Sequence, residues 1–249
     1  MLNPRKRVLM LSPVIAIALA ALPTRAAVRE EFHKSVAMDA NGTFSLKNVN
    51  GGVTISAWDK NEVQIDAVKS ASSEERLRAA RIELAGSGHS VDVPRYPDHT
   101  NNPASVESTI HLPWGTHLLD VETVNGEIHI DGPPGRSGQF RERQGGSLDA
   151  AEEVELSSVN GEVKASLSNA GKSRVKLNVV NGSISIALPA STNARVKATT
   201  VHGEIHSDFP LQVGKSQYTP GANVYSTLGS SGATIELESV NGSICLRKS

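Results

Sequence analysis

The sequence predicts an all-β protein, a β-solenoid of stacked coils, on three observations. Six copies of Val, then Asn or His, then Gly recur along the chain; apolar and polar residues alternate on both sides of each copy; and two successive intervals are 21 residues long. A fixed period of this size marks a repeat architecture in which each unit buries its apolar face against its neighbours.

The copies are Val49-Asn50-Gly51, Val124-Asn125-Gly126, Val159-Asn160-Gly161, Val180-Asn181-Gly182, Val201-His202-Gly203 and Val240-Asn241-Gly242. Glycines 161, 182 and 203 stand 21 apart, while 126 to 161 is 35 and 203 to 242 is 39. The longer gaps approach two periods, so degenerate copies are expected at Gly145-Gly146-Ser147-Leu148 and Ser231-Gly232-Ala233-Thr234.

Aligned on their glycines, the copies carry apolar residues at fixed offsets. Two after the glycine stand Val53, Ile128, Val163, Ile184, Ile205 and Ile244. Five before it stand Leu46, Val121, Leu156, Leu177, Ala198 and Leu237, and seven before it Phe44, Leu119, Val154, Val175, Val196 and Ile235. The residues between are mostly polar, a period of two that means strands on both sides of the Asn-Gly.

Two architectures use this pattern. In an antiparallel β-sandwich, Asn-Gly is a two-residue type I′ hairpin turn. In a solenoid of about 21 residues per coil it turns a corner, and equivalent residues of successive coils stack about 4.8 Å apart. The hairpin would expose all six valines beside polar partners, whereas the corner is expected to turn them inward, which favours the solenoid. In either case Asn50-Gly51, Asn125-Gly126, Asn160-Gly161, Asn181-Gly182, His202-Gly203 and Asn241-Gly242 are the structural turns.

The chain reads as a signal peptide over 1–26 and a single β-repeat domain over 27–249, less regular over 27–110, with the main repeats over 111–249. The leader joins Arg5, Lys6 and Arg7 to an apolar run from Val8 to Leu22, too short for the roughly 20 residues of a membrane span. Small residues at Thr24 and Ala26 place the expected cleavage before Ala27. Within 27–110, residues 53–65 read as strand, turn and strand, and Ser73 to Ala80 as a short helix capped by Ser73. Residues 94–103, rich in Pro, Asp and Asn, read as a surface loop, and 108–112 as a strand ending at Pro113-Trp114-Gly115.

The leader takes away four cations, leaving 21 Lys+Arg against 26 Asp+Glu, a net charge of −5. Dispersed cations on an acidic chain exclude nucleic acid and disfavour anionic membranes. Cys245, the lone cysteine, cannot close an internal disulfide and falls in an outward row, where a partly exposed thiol or an intermolecular bond is open to it.

Signatures of nucleophilic hydrolases, phosphate-binding loops and zinc sites are missing from the sequence. Glu127, Glu162 and Glu204 share one register, but with Gly182 marking an intervening coil the last two lie about 10 Å apart, too far to share calcium. His129 and His206 share an outward row, two ligands where zinc needs three or four. Trp58 and Trp114 sit at strand ends, where covering the core outweighs stacking on sugar. No catalytic residue, cofactor or metal is expected.

The order Gly51 to Trp58, Val63-Gln64-Ile65, Ile110 to Gly115 and then recurrent Val-Asn-Gly-x-Ile resembles the bacterial putative-adhesin family, a domain of unknown function with β-strand repeats. The resemblance covers nearly all of 40–249 and implies a secreted or envelope-associated β-repeat protein, with no catalytic residues to carry across. His202 in place of Asn and the 39-residue interval depart from the pattern. The expected function is that of a periplasmic or secreted, adhesin-like structural or interaction protein whose partner is an envelope protein or polysaccharide. The alternative is a carbohydrate-active β-solenoid enzyme, a polysaccharide lyase or hydrolase.

Overall fold

A computed structural model describes residues 27–39, 42–83, 85–87, 90–93, 104–113, 116–131, 153–167, 174–211, 213–215, 221–230 and 232–249. The expectations for the leader, the 94–103 loop, Trp114 and the degenerate copy at 145–148 lie outside these residues.

The described residues are almost all strand, as the period-two alternation requires, and form two sheets that enclose one core. The nine-stranded sheet runs in the order β1 (Val28–Ala37), β4 (Glu62–Ala71), β7 (Ser105–Pro113), β3 (Val53–Trp58), β9 (Ile128–Asp131), β11 (Val163–Ser166), β13 (Ile184–Leu188), β19 (Ile244–Lys248), β15 (Ile205–Ser207). The ten-stranded sheet runs β16 (Val213–Lys215), β17 (Ala222–Leu228), β14 (Ala194–His202), β18 (Ala233–Asn241), β12 (Arg174–Asn181), β10 (Glu153–Asn160), β8 (His117–Asn125), β2 (Thr43–Lys47), β6 (Ser90–Val93), β5 (Ala85–Ser87).

Pairing decides between the two architectures. The strands before and after each Asn-Gly or His-Gly lie in different sheets, so these dipeptides turn corners and none closes a hairpin. Equivalent strands of neighbouring copies pair in parallel, Leu156 beside Leu177 and Val163 beside Ile184. The protein is therefore solenoid-like. Among the described residues, antiparallel pairing is confined to β1, β4 and β7 at one end, β16, β17 and β14 at the other, and the β5–β6 pair.

The inward register is as the alignment predicts: Val53, Ile128, Val163, Ile184, Ile205 and Ile244 are all buried. Ile184→Ala should cost about 2–5 kcal/mol and Ser185→Ala, facing outward, close to nothing. Urea midpoints of the two variants check this. One position shifts: the register of β2 against β8 slips after Phe44, so Leu118, and not Leu119, stands opposite Phe44 and is buried.

Three expectations fail. The valines before the turns point outward, with Val159, Val180, Val240 and Val201 40–44 % exposed, because alternation from the buried Leu156, Leu177, Leu237 and Ala198 three residues earlier places them on the outer face. No coil lies between the Gly126 and Gly161 copies, since β8 pairs β10 and β9 pairs β11 directly. Nor does Ser231-Gly232-Ala233-Thr234 mark an extra coil; Ala233 and Thr234 open β18 of the last copy.

That last copy is also out of sequence order. The coil of β18 and β19 lies between the coil of β12 and β13 and the coil of β14 and β15. The 21-residue interval from Gly182 to Gly203 therefore joins coils that do not touch.

The expected helix is present as α1 (Glu74–Ala79). Ser73 Oγ accepts from the Arg76 amide, Glu74 and Glu75 occupy the first turn where the helix dipole favours anions, and Leu77 packs with Ala71 and Ala104.

Candidate functional site

The corners are held by three ladders, of which the sequence alignment foresaw only the positions. Backbone pairing continues through each turn, with Gly126 N–H donating to Asn160 O and Gly182 N–H to Asn241 O, both at 2.9 Å. The asparagine side chains form a second ladder: the amides of Asn125, Asn160, Asn181 and Asn241 donate to the side-chain oxygens of Asn50, Asn125, Asn160 and Asn181 at 2.7–2.9 Å. Identical amides stacked in register can bond this way on every coil, as in cross-β assemblies. His202 takes the asparagine position on the terminal coil of this stack.

The third ladder lies three residues before the glycines, interrupted at Val179 before Gly182 and at Thr123, whose buried hydroxyl makes no hydrogen bond among the described residues. Ser158, Thr200 and Ser239 are buried, and their hydroxyls donate to Gly126 O, Gly242 O and Gly182 O of the adjoining coil. Asn48 fills the same position in the first copy and donates to Gly51 O. The signal was legible, since Asn48, Thr123, Ser158, Thr200 and Ser239 are small hydrogen-bonding residues at an inward parity.

Beside these corners, the outer face of the ten-stranded sheet carries the most prominent surface feature. In spatial order Val49, Val124, Val159, Val180, Val240 and Val201 make an in-register aliphatic row. Two residues earlier on each strand stand Lys47, Glu122, Ser157, Asn178, Glu238 and Thr199. Five of those valines and all six of these residues line an open groove of ≈ 620 Å³ that crosses the strands from β2 to β14. A volume of this size falls within the usual range for ligand sites.

The groove's charges are paired. Lys47 Nζ lies 2.9 Å from Asp120 and 3.1 Å from Glu122, Lys176 Nζ 2.8 Å from Glu155, and Lys197 Nζ 3.2 Å from Glu238. Hydrogen bonding to Asp120, then to Glu122, raises the Lys47 pKa above its ordinary value, and the bond to Glu155 raises that of Lys176. Both lysines stay charged through neutral pH.

The nine-stranded sheet has a different outer face. Glu127 and Glu162 stand on adjacent coils, and Lys164 binds Glu162 at 2.8 Å; that bond, with the nearby Glu127 charge, raises the lysine's pKa. Glu204 is three coils from Glu162, about 14 Å, instead of the expected two, because the last copy intervenes. His129 pairs with Asp131 and His206 with Glu204, four coils apart. Cys245 is half-buried between the positions of Ser185 and His206. Among the described residues no three of His, Cys, Asp and Glu converge to hold a metal. Trp58 is not open for stacking: His111 stacks on its ring at 5.1 Å, Lys60 lies 4.3 Å over it, and its Nε1 donates to Glu62 O.

Near that tryptophan, Asp66 accepts from His33 and Gln64, and the His33 bond, foremost, lowers its pKa below the ordinary 3.8. A carboxylate with a depressed folded pKa stabilises the fold above its unfolded pKa, and this is lost as pH falls through the folded value. His33→Ala should raise the Asp66 pKa, seen in a carboxyl NMR titration, and the stability gap between variant and parent should shrink as the solution is acidified below about pH 4. Both groups are largely exposed, so the gap is small.

A family model described as Toastrack DUF4097 matches residues 40–247. None of the curated proteins matches the chain. The crystal structure of a putative cell adhesion protein from Clostridium sporogenes superposes with a TM-score of 0.60 at 16% identity, covering 88% of this chain and 100% of that one. A putative adhesin from Bacteroides fragilis gives a TM-score of 0.31 at 10% identity, covering 88% of this chain and 97% of that one. The first likeness supports the fold; the second adds nothing to it.

Proposed function

The chain belongs to the Toastrack DUF4097 family, and from that premise we propose that it is a non-catalytic, adhesin-like interaction module whose binding face is the groove of the ten-stranded sheet. One observation carries the reading: an unbroken aliphatic row, four of its valines 40–44 % exposed, lies in a groove of ≈ 620 Å³ bordered by hydroxyl, amide and charged groups. Contiguous exposed apolar surface rimmed by polar residues is the mark of an interaction site. The similarity to a putative cell adhesion protein points the same way. Each coil lays down one valine of this row, and 21 residues separate Val159 from Val180 on the next coil.

We place the protein in the periplasm or outside the cell, on the leader over 1–26 with cleavage before Ala27. Among the described residues no helix is long and apolar enough to cross a membrane. Cosedimentation of the 27–249 protein with purified envelope fractions tests the function. Saturable retention that is lost in a Val180→Lys, Val240→Lys variant, and kept in chelator, is the expected result. Retention unchanged by those substitutions would put the binding face elsewhere, and polysaccharide cleavage by the same protein would restore the enzyme alternative.

A further inference from the structure

We infer that this groove takes an uncharged, linear, β-linked glycan lying across the strands, about one sugar to each coil; the inference rests on the interaction reading above.

Charge selects the class of partner. Of the charged residues that line the groove, Lys47 and Lys176 balance Glu122 and Glu238, and each lysine lies within 3.1 Å of a carboxylate, Lys47 of Asp120 and Glu122 and Lys176 of Glu155. Among the described residues of the lining, both ammonium groups are already engaged by carboxylates, so an anionic partner finds no unpaired cation there. The complement of a surface whose charges cancel in pairs is a neutral partner bound by hydrogen bonds and apolar contact.

Geometry then separates a glycan from a peptide. An extended peptide needs partners for its own amides and carbonyls, and peptide strands find them at a sheet edge. The groove lies on a sheet face, where the backbone groups of β8, β10, β12, β18 and β14 already bond to one another, so only side chains are available. Those side chains repeat every ~4.8 Å along the groove, close to the advance of each residue in an extended chain of equatorially linked pyranoses. The valine methyls offer one row for the C–H faces of the rings. Ser157 and Asn178 on adjacent strands, and Thr199 two strands farther on beyond Glu238, offer donors and acceptors for the hydroxyls. Each unit contact is weak, and affinity comes from repetition along the chain.

Cellohexaose and chitohexaose titrated calorimetrically into the 27–249 protein test the inference. Saturable binding is expected, with affinity rising about tenfold or more from the trimer to the hexamer. A Val180→Ser, Val240→Ser variant, and separately Asn178→Ala, should weaken it by about tenfold, while Ser185→Ala on the other sheet leaves it unchanged. Circular dichroism and thermal melts establish that each variant is folded. Binding to neither hexamer, preference for the polyanion polygalacturonate, or indifference to the groove variants would overturn the inference. If envelope fractions are retained through the groove while the hexamers are not, the occupant is wrong and the interaction reading stands. Hexamer binding without envelope retention would have the opposite meaning.

Discussion

Gly182→Ala is expected to destabilise the protein by about 4 kcal/mol or more, whereas Ser183→Ala next to it should change little. The glycine adopts φ +149°, a conformation that side chains rarely accept, and a Cβ there would lie 1.9 Å from Gly161 O. Neither contact can relax cheaply. The obstructing atom is backbone, Gly182 N–H is bonded to Asn241 O on the next coil, and Ser239 Oγ donates to Gly182 O. Coils press on both sides, so lifting one away breaks the ladders on the other. Gly203 gives the internal comparison: its Cβ would meet Gly242 O at 2.1 Å, but its φ lies outside the left-handed region and the strand that follows it, β15, is the edge of its sheet. Gly203→Ala should therefore cost less than Gly182→Ala, with urea denaturation of the two variants as the measurement. A cost below about 1 kcal/mol at Gly182 would mean that the corners stand farther apart than this.

Much of this was legible in the sequence because the constraints are local and repeated. Ile184 and its five equivalents fall at one offset from their glycines, and all are buried. The stop at Asn-Gly was visible too, since only a turn interrupts so regular an alternation. What it turns was not. A type I′ hairpin and a solenoid corner ask for the same dipeptide, and the difference lies in whether Val163 meets a residue of its own copy or Ile184 of the next. The outward valines were misread for a related reason. Alternation alone puts Val180 on the face opposite Val179, but an exposed aliphatic row does nothing for folding, and valine's apolarity points inward. The row holds no acid, histidine or tryptophan, so nothing in its residue types marks it as a site.

The order of the coils was hidden for a different reason. Every copy carries a similar ladder of Val, Ile and Leu, so any copy can stack on any other, and the connections decide. Asn193 shows how this happens here: its side-chain oxygen accepts from the Ser230 amide and its carbonyl from the Ala233 amide, tying the link before β14 to the start of β18. The 39-residue interval between Gly203 and Gly242 holds β16 and β17; β17 returns antiparallel along β14, with β16 paired on its far side, before the chain enters the slot beside β14.

Removing residues 233–249 should consequently do far more damage than shortening a solenoid whose coils stack in sequence order. In such a protein the last coil is an end cap, and its loss exposes one new edge. Here the deletion takes out an interior coil. Ile235, Leu237, Ile244 and Leu246 are at most 1 % exposed, and β18 and β19 pair on both sides, with β12 and β14 in one sheet and with β13 and β15 in the other. The truncated chain would hold β12 and β14 about 9.6 Å apart across an empty slot, with two apolar interiors opened and four strand edges unpaired, the condition that drives aggregation. The link that could let them close loses one of its two ties at Asn193, the bond from the Ala233 amide, at the same time. Accumulation in the insoluble fraction, or a soluble product without a cooperative thermal transition, is the expected outcome, while Cys245→Ser in the full-length chain should remain folded. A soluble truncated protein that melts cooperatively with native-like β circular dichroism would show that β14 has restacked directly on β12, and that the interior position of the last coil is not what holds this end of the solenoid together.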